Sequence, residues 1–188
     1  MSVIAVFNQT GGVRKTTTTF NLVAALARLE RSPYAIDLDP QGHLTLAAGI
    51  KNLTGPESVF GFFQQDIPLA QLVRTVEPGI RLVGASLDLS KVDALYGADV
   101  SMTRRLRTGL EQAGWMSGPP VLIDCCPMLG VLTLNALMAA DRVLIPVSAD
   151  YLSLQGVHRI NAALDVLERR GNRRFLRRVV ITRYDSRR

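Results

Sequence analysis

Three short apolar runs limit the folds open to this chain more than any other feature of its sequence. They are VIAVF at 3–7, VLIDCC at 121–126 and RVLIPV at 142–147. Each run is apolar at successive positions, so a strand formed there presents apolar side chains on both of its faces. Strands of that kind lie in parallel sheets that helices cover on both sides. The runs therefore predict an α/β domain with a buried, mostly parallel sheet.

Strand and helix patterns alternate along the rest of the chain. Strands are predicted at 2–8, 34–39, 80–85, 119–126, 141–150 and 177–185, and helices at 16–31, in a pair across 88–113, at 132–140 and at 153–170. The segment from Pro40 to Pro68 is predicted to be irregular. The alternation is typical of a doubly wound α/β fold, in which the ligand lies beyond the carboxyl ends of the strands. The length of 188 residues, without a repeat or a low-complexity linker, predicts one domain, 1–188.

The stretch NQTGGVRKTT, at 8–17, joins the first predicted strand directly to the first predicted helix. Gly11 and Gly12 allow backbone N–H groups to approach an anion, and the positive end of the helix dipole adds to the attraction. Lys15 is placed to reach β- and γ-phosphate oxygens, and the Thr16 hydroxyl is placed to coordinate Mg²⁺. The stretch therefore predicts a phosphate-binding loop. The alternative is an ordinary glycine turn before a helix.

Three carboxylates stand at the ends of predicted strands. Asp37 and Asp39 are one residue apart in DLDPQGHLT, at 37–45, so their side chains point to the same side of the strand. Asp124 directly follows the three apolar residues that begin VLIDCC. A carboxylate beside a γ-phosphate can orient the attacking water or hold the water shell of a metal ion. Each aspartate alone is only weakly informative, but their order and placement together predict a nucleotide and metal site.

The chain is basic, with a formal net charge of +6 and a pI near 9.9. The excess of arginine is concentrated in RRGNRRFLRR, at 169–178, and in Arg183, Arg187 and Arg188. A basic surface of this kind attracts polyanions such as DNA. The alternative is a solvated arginine-rich face with no binding role.

The sequence does not favour a membrane protein or a disulfide-bonded protein. No apolar run approaches the ~20 residues that cross a bilayer, and the N-terminus lacks the basic lead and cleavage site of a secretory signal. Cys125 and Cys126 are adjacent, and adjacent cysteines seldom bridge each other and make a poor zinc set. We therefore expect a cytoplasmic protein with reduced thiols and no membrane association.

Taken together, the motifs resemble the ParA/MinD group of deviant Walker ATPases, in particular the ParA proteins that partition chromosomes and plasmids. The family's phosphate loop reads NQKGGVGKTT where this chain has NQTGGVRKTT, and its DLDPQGN corresponds to DLDPQGH. The family's DCPPSLGLLTLNAL corresponds to DCCPMLGVLTLNAL at 124–137. Similar stretches at 145–157 (IPVSADYLSLQGV) and 181–187 (ITRYDSR) extend the resemblance over essentially the whole chain.

The resemblance implies a P-loop NTPase fold of the deviant Walker type that binds ATP and Mg²⁺. It implies that the nucleotide is bound by Gly11, Gly12, Val13, Arg14, Lys15, Thr16 and Thr17. Lys15 and Asp39 then correspond to catalytic groups, with Asp39 as the carboxylate that positions the attacking water. Thr16, Asp37 and Asp124 correspond to the Mg²⁺ side of the site, where the aspartates act through water.

The resemblance also implies a working cycle. ATP binding would drive homodimerisation, with residues 150–155 near the dimer interface. The dimer would bind DNA without sequence preference, plausibly through the arginine-rich C-terminal region, and a ParB-like partner protein would stimulate hydrolysis. The implied function is to segregate or position plasmids, chromosomes or other cargo in the cytoplasm, in association with the nucleoid. Compared with the family, the C-terminal part of the chain is expected to be short.

Two loop residues depart from the family pattern. Thr10 stands where the family has a lysine that reaches the partner protomer's phosphates, a role in which a cation is worth roughly 10³–10⁵ in rate. Arg14 stands where the family has glycine, so a positive φ there would cost about 1–2 kcal/mol. One interpretation is a weak ATPase, and a sharper hypothesis is that Arg14 supplies the missing cation. The alternative is a hydrolysis-deficient regulatory or interaction protein that binds nucleotide weakly or not at all.

Overall fold

The computed structural model describes residues 3–77, 79–97, 99–171 and 174–185, without the side chains of 77 and 151–155. The described residues contain one seven-stranded sheet with the strand order β3-β4-β2-β5-β1-β6-β7. The strands are β1 (Val3–Val6), β2 (Tyr34–Leu38), β3 (Val73–Glu77), β4 (Ile80–Val83), β5 (Val121–Cys125), β6 (Arg142–Ser148) and β7 (Leu176–Thr182). The helices are α1 (Lys15–Arg28), α2 (His43–Ala47), α3 (Val59–Gln65), α4 (Ser90–Tyr96), α5 (Arg105–Gln112), α6 (Val131–Ala139) and α7 (Tyr151–Gly171).

The sheet is parallel except at one edge, where β3 pairs with β4 in the antiparallel direction. The central strands are in close register: Val6 of β1 and Asp37 of β2 both lie beside Asp124 of β5. The carboxyl ends of the three strands therefore meet at one edge of the sheet. This arrangement confirms the predicted doubly wound, mostly parallel α/β fold.

Helices cover both faces of the sheet, as the apolar runs require. On one face, α1 and α2 bury a cluster that includes Val23, Leu44 and Leu122. On the other face, a larger cluster joins the sheet to α3, α5, α6 and α7, and it includes Phe63, Leu106 and Ile160. Because β5 contributes to both clusters, all five of its residues are buried.

Helix α6 is buried on most of its surface, and a polar residue fixes its position against α5. Asn135 is fully buried, and its side-chain amide donates to the carbonyl of Met102 at 2.8 Å. The Asn135 Oδ1 atom accepts a hydrogen bond from the Leu106 backbone N–H at 2.9 Å. A buried amide that satisfies one donor and one acceptor in this way holds the start of α5 at a defined position over α6.

Two parts of the chain differ from the sequence-based expectation. The segment from Pro40 to Pro68, predicted to be irregular, contains α2 and α3. These helices have only five and seven residues, too few to show a helical period in the sequence. The edge strand β3 was not predicted, because VRTVE is short and half polar. Among the described residues, no helix is long and apolar enough to cross a membrane.

Candidate functional site

A cavity of about 1040 Å³ opens at the carboxyl ends of the central strands. Its volume is at the upper end of the range of small-molecule sites, which is roughly 300–1,000 Å³. The predicted site residues that line it are Gly11, Gly12, Arg14, Lys15, Thr16, Thr17 and Asp39. The cavity is therefore formed around the loop and one of the carboxylates that the sequence singled out.

The loop between β1 and α1 is shaped by Asn8, which is buried at the end of β1. The Asn8 side chain donates to the Pro146 carbonyl at 2.7 Å and accepts from the Thr10 backbone N–H at 2.8 Å. The chain then turns at Gly12, whose φ is +74°, and a Cβ added at Gly11 or Gly12 would meet nothing within 4 Å. The glycines thus expose backbone to open space, which is what a close approach of phosphate requires.

Val13 differs from its neighbours in the loop. It is buried and does not line the cavity. Its carbonyl accepts a hydrogen bond from the Thr182 hydroxyl at 3.1 Å. Val13 therefore attaches the loop to the end of β7, and its predicted contact with nucleotide stays a prediction that would involve its backbone.

Lys15 begins α1 and its side chain folds back across the loop. The ammonium group donates to the Thr10 carbonyl at 3.1 Å, and the residue is only 9% exposed. Burial lowers the pKa of Lys15, while the nearby charges of Asp124 and Asp39 act in the opposite direction. The cation is thus held between the loop backbone and the carboxylates, at the place where phosphate oxygens would meet it.

Asp124 is buried at the end of β5, and hydroxyl groups of α1 bind it. Thr16 Oγ1 donates to Oδ2 at 2.7 Å, and Thr19 Oγ1 donates to Oδ1 at 3.1 Å. Burial and, after it, the charge of Asp37 raise the pKa of Asp124 to about 7, although the hydrogen bonds from the two hydroxyls act in the lowering direction. Asp124 does not line the cavity itself, but its hydrogen bond positions the hydroxyl of Thr16, which is the predicted metal ligand.

Asp37 lies beside Asp124 in the sheet but has other partners. Its Oδ2 accepts from the Thr45 backbone N–H at 2.9 Å and from the Thr45 hydroxyl at 2.7 Å, and its Oδ1 accepts from the Asp39 N–H at 3.1 Å. Burial raises the pKa of Asp37 to about 6 despite these hydrogen bonds. Asp37 does not line the cavity and fixes the turn that leads to α2. Its predicted place near the metal stays a prediction.

Asp39 is the carboxylate that faces the cavity. It lies just past β2 and is partly exposed, and its Oδ1 accepts a hydrogen bond from the Gln41 backbone N–H at 3.0 Å. The second carboxylate oxygen has no hydrogen bond to the described part of the chain. An oxygen that is open to the cavity can accept a hydrogen bond from a water molecule there.

Mg²⁺ fits this donor set when phosphate oxygens complete its coordination. The described residues contain no group of three or more His, Cys, Asp or Glu side chains that could hold a metal ion by themselves. Mg²⁺ usually keeps several waters and is bound by one or two protein groups together with substrate phosphates. The Thr16 hydroxyl can supply one such group, and Asp124 and Asp39 are near enough to Lys15 for their charges to raise its pKa against the effect of burial.

Several cavity residues are not among the nucleotide- or metal-site residues that the sequence predicts. They come from the turn after β2, from α4 and from the segments after β5 and β7: Pro40, Gln41, His43, Ser90, Asp93, Cys126, Pro127, Met128 and Arg183. Arg183 directly follows a parallel strand, so the rule that located the aspartates could have found it. Asp93 carried no such signal, because α4 reaches the cavity only through tertiary packing.

The predicted dimer segment is only partly described. The side chains of 151–155 lie outside the described residues, as do 172–173 and 186–188 of the arginine-rich region. Cys125 and Cys126 are both free thiols and both buried, in line with the expectation of reduced cysteines.

The AAA domain family model (AAA_31) matches residues 1–176. The chain is 37% identical over 191 residues to the chromosome partitioning protein ParA of Caulobacter vibrioides, an alignment that covers all of this chain and 71% of that protein. It is 40% identical over 188 residues to the chromosome-partitioning ATPase Soj of Thermus thermophilus, covering 98% of this chain and 70% of Soj.

Among solved structures, the fold is similar to that of cobyrinic acid a,c-diamide synthase from Mycobacterium smegmatis, crystallised with a bound ATP analogue and magnesium. The TM-score is 0.90 at 34% identity, and the match covers 99% of this chain and 76% of the synthase. The similarity therefore extends over the whole α/β sheet and includes the loop that lines the cavity.

The two buried carboxylates predict an unusual pH dependence of stability. Their pKa values in the folded chain, about 6 and about 7, lie above the ordinary value of 3.8. The folded state therefore binds more protons between about pH 4 and 7, so the free energy of unfolding falls as the pH rises through this window. We expect Asp124→Asn to flatten this fall, measured by urea denaturation without Mg²⁺ or nucleotide at a series of pH values.

The control for this experiment is Glu57→Gln. Glu57 is exposed, and its pKa is lowered by the Thr54 hydroxyl and backbone N–H and then by Arg74, so it contributes with the opposite sign. Glu57→Gln should leave the fall between about pH 4 and 7 in place. If the free energy of unfolding has the same pH dependence in the wild type and in Asp124→Asn, burial does not raise the pKa of Asp124 and the prediction is wrong.

Proposed function

The chain belongs to the ParA-type partitioning ATPases, and on that premise we propose that it binds Mg²⁺·ATP in the cavity and hydrolyses it slowly. The observation that carries the proposal is the hydrogen bond from Thr16 to Asp124, with Lys15 beside it and Asp39 facing the same cavity. The loop, a cation, a hydroxyl and a carboxylate thus line one cavity, which supports the proposal.

The loop residues would do most of the binding. Backbone N–H groups from Gly11 to Thr17 and the N-terminal end of α1 would bind the phosphates. Lys15 would exchange its hydrogen bond with the Thr10 carbonyl for phosphate oxygens, and Thr16 would turn its hydroxyl oxygen toward the metal. Bound Mg²⁺ supplies positive charge that neutralises the phosphate oxygens during phosphoryl transfer.

Asp39 would act on the attacking water. Its partly exposed carboxylate lines the same cavity as the loop, and the hydrogen bond from the Gln41 N–H holds its orientation. A carboxylate in that place accepts a hydrogen bond from water and orients the water for in-line attack. Asp37 and Asp124, being buried, would support the site from below and would reach the metal only through water.

We further propose that ATP binding leads to a homodimer across the mouth of the cavity. Met128 and Leu129, in the segment after β5, are 67% and 43% exposed, and Met128 also lines the cavity. Exposed apolar side chains at the rim of a binding site are typical of an interaction surface. In the proposed cycle, a ParB-like partner protein stimulates hydrolysis in this dimer.

The proposed dimer binds DNA without sequence preference, in the cytoplasm and on the nucleoid, and positions plasmid, chromosome or other cargo. The C-terminal end of α7 and β7 carries the described part of the basic surface, with exposed side chains of Arg169, Arg170, Arg174 and Arg178. Arginines that are free to contact phosphates supply sequence-independent, salt-dependent affinity for DNA.

A second candidate function is a hydrolysis-deficient regulator that binds nucleotide without turnover. Two observations favour it: position 10 carries no charge, and Arg14 occupies the cavity in place of glycine. Such a protein would dimerise or bind its partner in response to ATP alone. Both candidates use the same cavity, and turnover distinguishes them.

Replacing Asp39 tests the proposed ATPase. We expect wild-type protein with Mg²⁺·ATP and DNA to release phosphate slowly, and Asp39→Ala to lower that rate by at least about 10² while keeping ATP bound. Lys15→Ala should lose both binding and turnover. The control is Asp66→Ala, because Asp66 is exposed and outside the cavity lining, and its carboxylate pairs with Arg105 and with no other cation among the described residues. Turnover that is equal in wild type, Asp39→Ala and Lys15→Ala would contradict the proposed ATPase.

Two neighbouring arginines of β7 test the proposed DNA contact. Arg178 has no hydrogen bond or ion pair with the described residues, whereas Arg177 pairs with Asp165 and Glu168 of α7 at 2.7 Å each. We expect Arg178→Ala to weaken DNA binding and to reduce the slope of log affinity against log salt by about 1. Arg177→Ala should mainly lower stability.

Fluorescence anisotropy with a random-sequence duplex, at several salt concentrations, measures the DNA affinity and its salt dependence. Unchanged DNA affinity and salt slope in Arg178→Ala would remove β7 from the proposed DNA surface. A larger loss of DNA affinity in Arg177→Ala than in Arg178→Ala, with both proteins fully folded, would contradict the assignment as well.

A further inference from the structure

Arg14 has a backbone conformation that arginine rarely adopts. Its φ of 68° and ψ of 34° are left-handed, and it immediately precedes α1 without a side-chain hydrogen bond to the helix. Glycine adopts this conformation without strain, whereas a residue with a Cβ does not. Strained residues of this kind cluster at ligand-binding sites.

The guanidinium group of Arg14 is available for a ligand. Arg14 is exposed and lines the cavity, and its side chain makes no hydrogen bond or ion pair with the described part of the chain. The six cation–carboxylate pairs among the described residues involve five other cations, and Arg14 is in none of these pairs. The cation next to the phosphate loop is therefore left for an anion from solution.

A second arginine reaches the same cavity from β7. Arg183 follows the last residue of that strand, is exposed, and likewise has no hydrogen bond or ion pair with the described residues. The preceding residue, Thr182, donates its hydroxyl hydrogen bond to the Val13 carbonyl at 3.1 Å. The residues that precede the two arginines are thus hydrogen-bonded to each other, which keeps Arg183 at the phosphate-loop side of the cavity.

Residue 10 adds no positive charge to the cavity. Thr10 is neutral, and its hydroxyl lies against the start of α7, where a Cβ added at Gly156 would be 3.6 Å from it. The cations that line the cavity are Arg14, Lys15 and Arg183, all from the same chain. The carboxylates of Asp39 and Asp93 line the same cavity, so the lining has a small positive excess before any ligand binds.

We propose that Arg14 and Arg183 bind the anionic groups of the nucleotide from within one protomer and replace a cation that would otherwise come from a second copy. This inference rests on the proposed function and specifies how the site holds ATP. Its consequence is that a monomer binds Mg²⁺·ATP tightly, because the positive charge that contacts the phosphates comes from the same protomer and does not depend on dimerisation. Each charge-assisted contact is worth about tenfold to a hundredfold in affinity.

The experiment compares ATP affinity with stability in the same variants. Mg²⁺·ATP binding is measured by titration calorimetry for wild type, Arg14→Gly, Arg14→Lys and Arg183→Ala, under conditions where sedimentation shows a monomer. We expect Arg14→Gly and Arg183→Ala each to weaken binding about tenfold or more, and Arg14→Lys to retain part of the affinity. Arg14→Gly should also raise the unfolding midpoint by about 2–4 °C, because the strain is removed.

Weaker ATP binding together with a higher unfolding midpoint in Arg14→Gly distinguishes a binding role of Arg14 from a structural one. The control is Arg31→Ala, an exposed arginine outside the cavity lining, which should change neither affinity nor turnover. If wild type binds ATP and Arg14→Gly binds it equally or more tightly, the inference is wrong while the proposed function stands. If folded wild type does not bind ATP at all, the proposed function fails, and the inference fails with it.

Discussion

The buried carboxylate of Asp124 is the group on which the rest of the site depends. It lies near the end of the central strand β5, in register with both β1 and β2, and accepts hydrogen bonds from Thr16 and Thr19 of α1. These contacts join the first turn of α1 to the middle of the sheet. Because the phosphate loop ends where α1 begins, the position of the loop follows from this connection. Burial at that place raises the pKa of the carboxyl group, and the hydrogen bonds from Thr16 and Thr19 offset part of the cost.

Much of the fold could be predicted because the central strands are apolar on both faces. That pattern has few solutions other than a covered parallel sheet, and β1, β5 and β6 lie where it places them. The phosphate loop and Asp39 were also predictable, since both directly follow central strands and both line the cavity. The short helices α2 and α3 and the edge strand β3 were not, because five to seven residues do not establish a period.

The finer roles of the site residues depend on tertiary contacts that the sequence does not encode locally. Asp37 and Asp39 are equivalent in sequence, one residue apart at a strand end. In the structure, Thr45 binds the first in the core and the second faces the cavity. Asp93 and Arg183 reach the same cavity from elements that are distant in sequence. Such convergence of α4 and β7 on the loop follows from packing, which periodicity cannot report.

The loop combines intact binding groups with two altered ones, and this combination sets what the protein can do. Lys15 and Asp39 line the cavity and Thr16 is hydrogen-bonded to Asp124, whereas Thr10 lacks charge and Arg14 is in a left-handed conformation. The physical claim is that the turn before α1 still closes around a triphosphate with Arg14 beside it. A crystal structure grown with Mg²⁺ and a non-hydrolysable ATP analogue tests this claim most directly. The account predicts phosphate oxygens on the amides of residues 11–17, with Lys15 Nζ moved from the Thr10 carbonyl to the phosphates. An unchanged fold whose loop is empty, or filled by the Arg14 side chain, would contradict it.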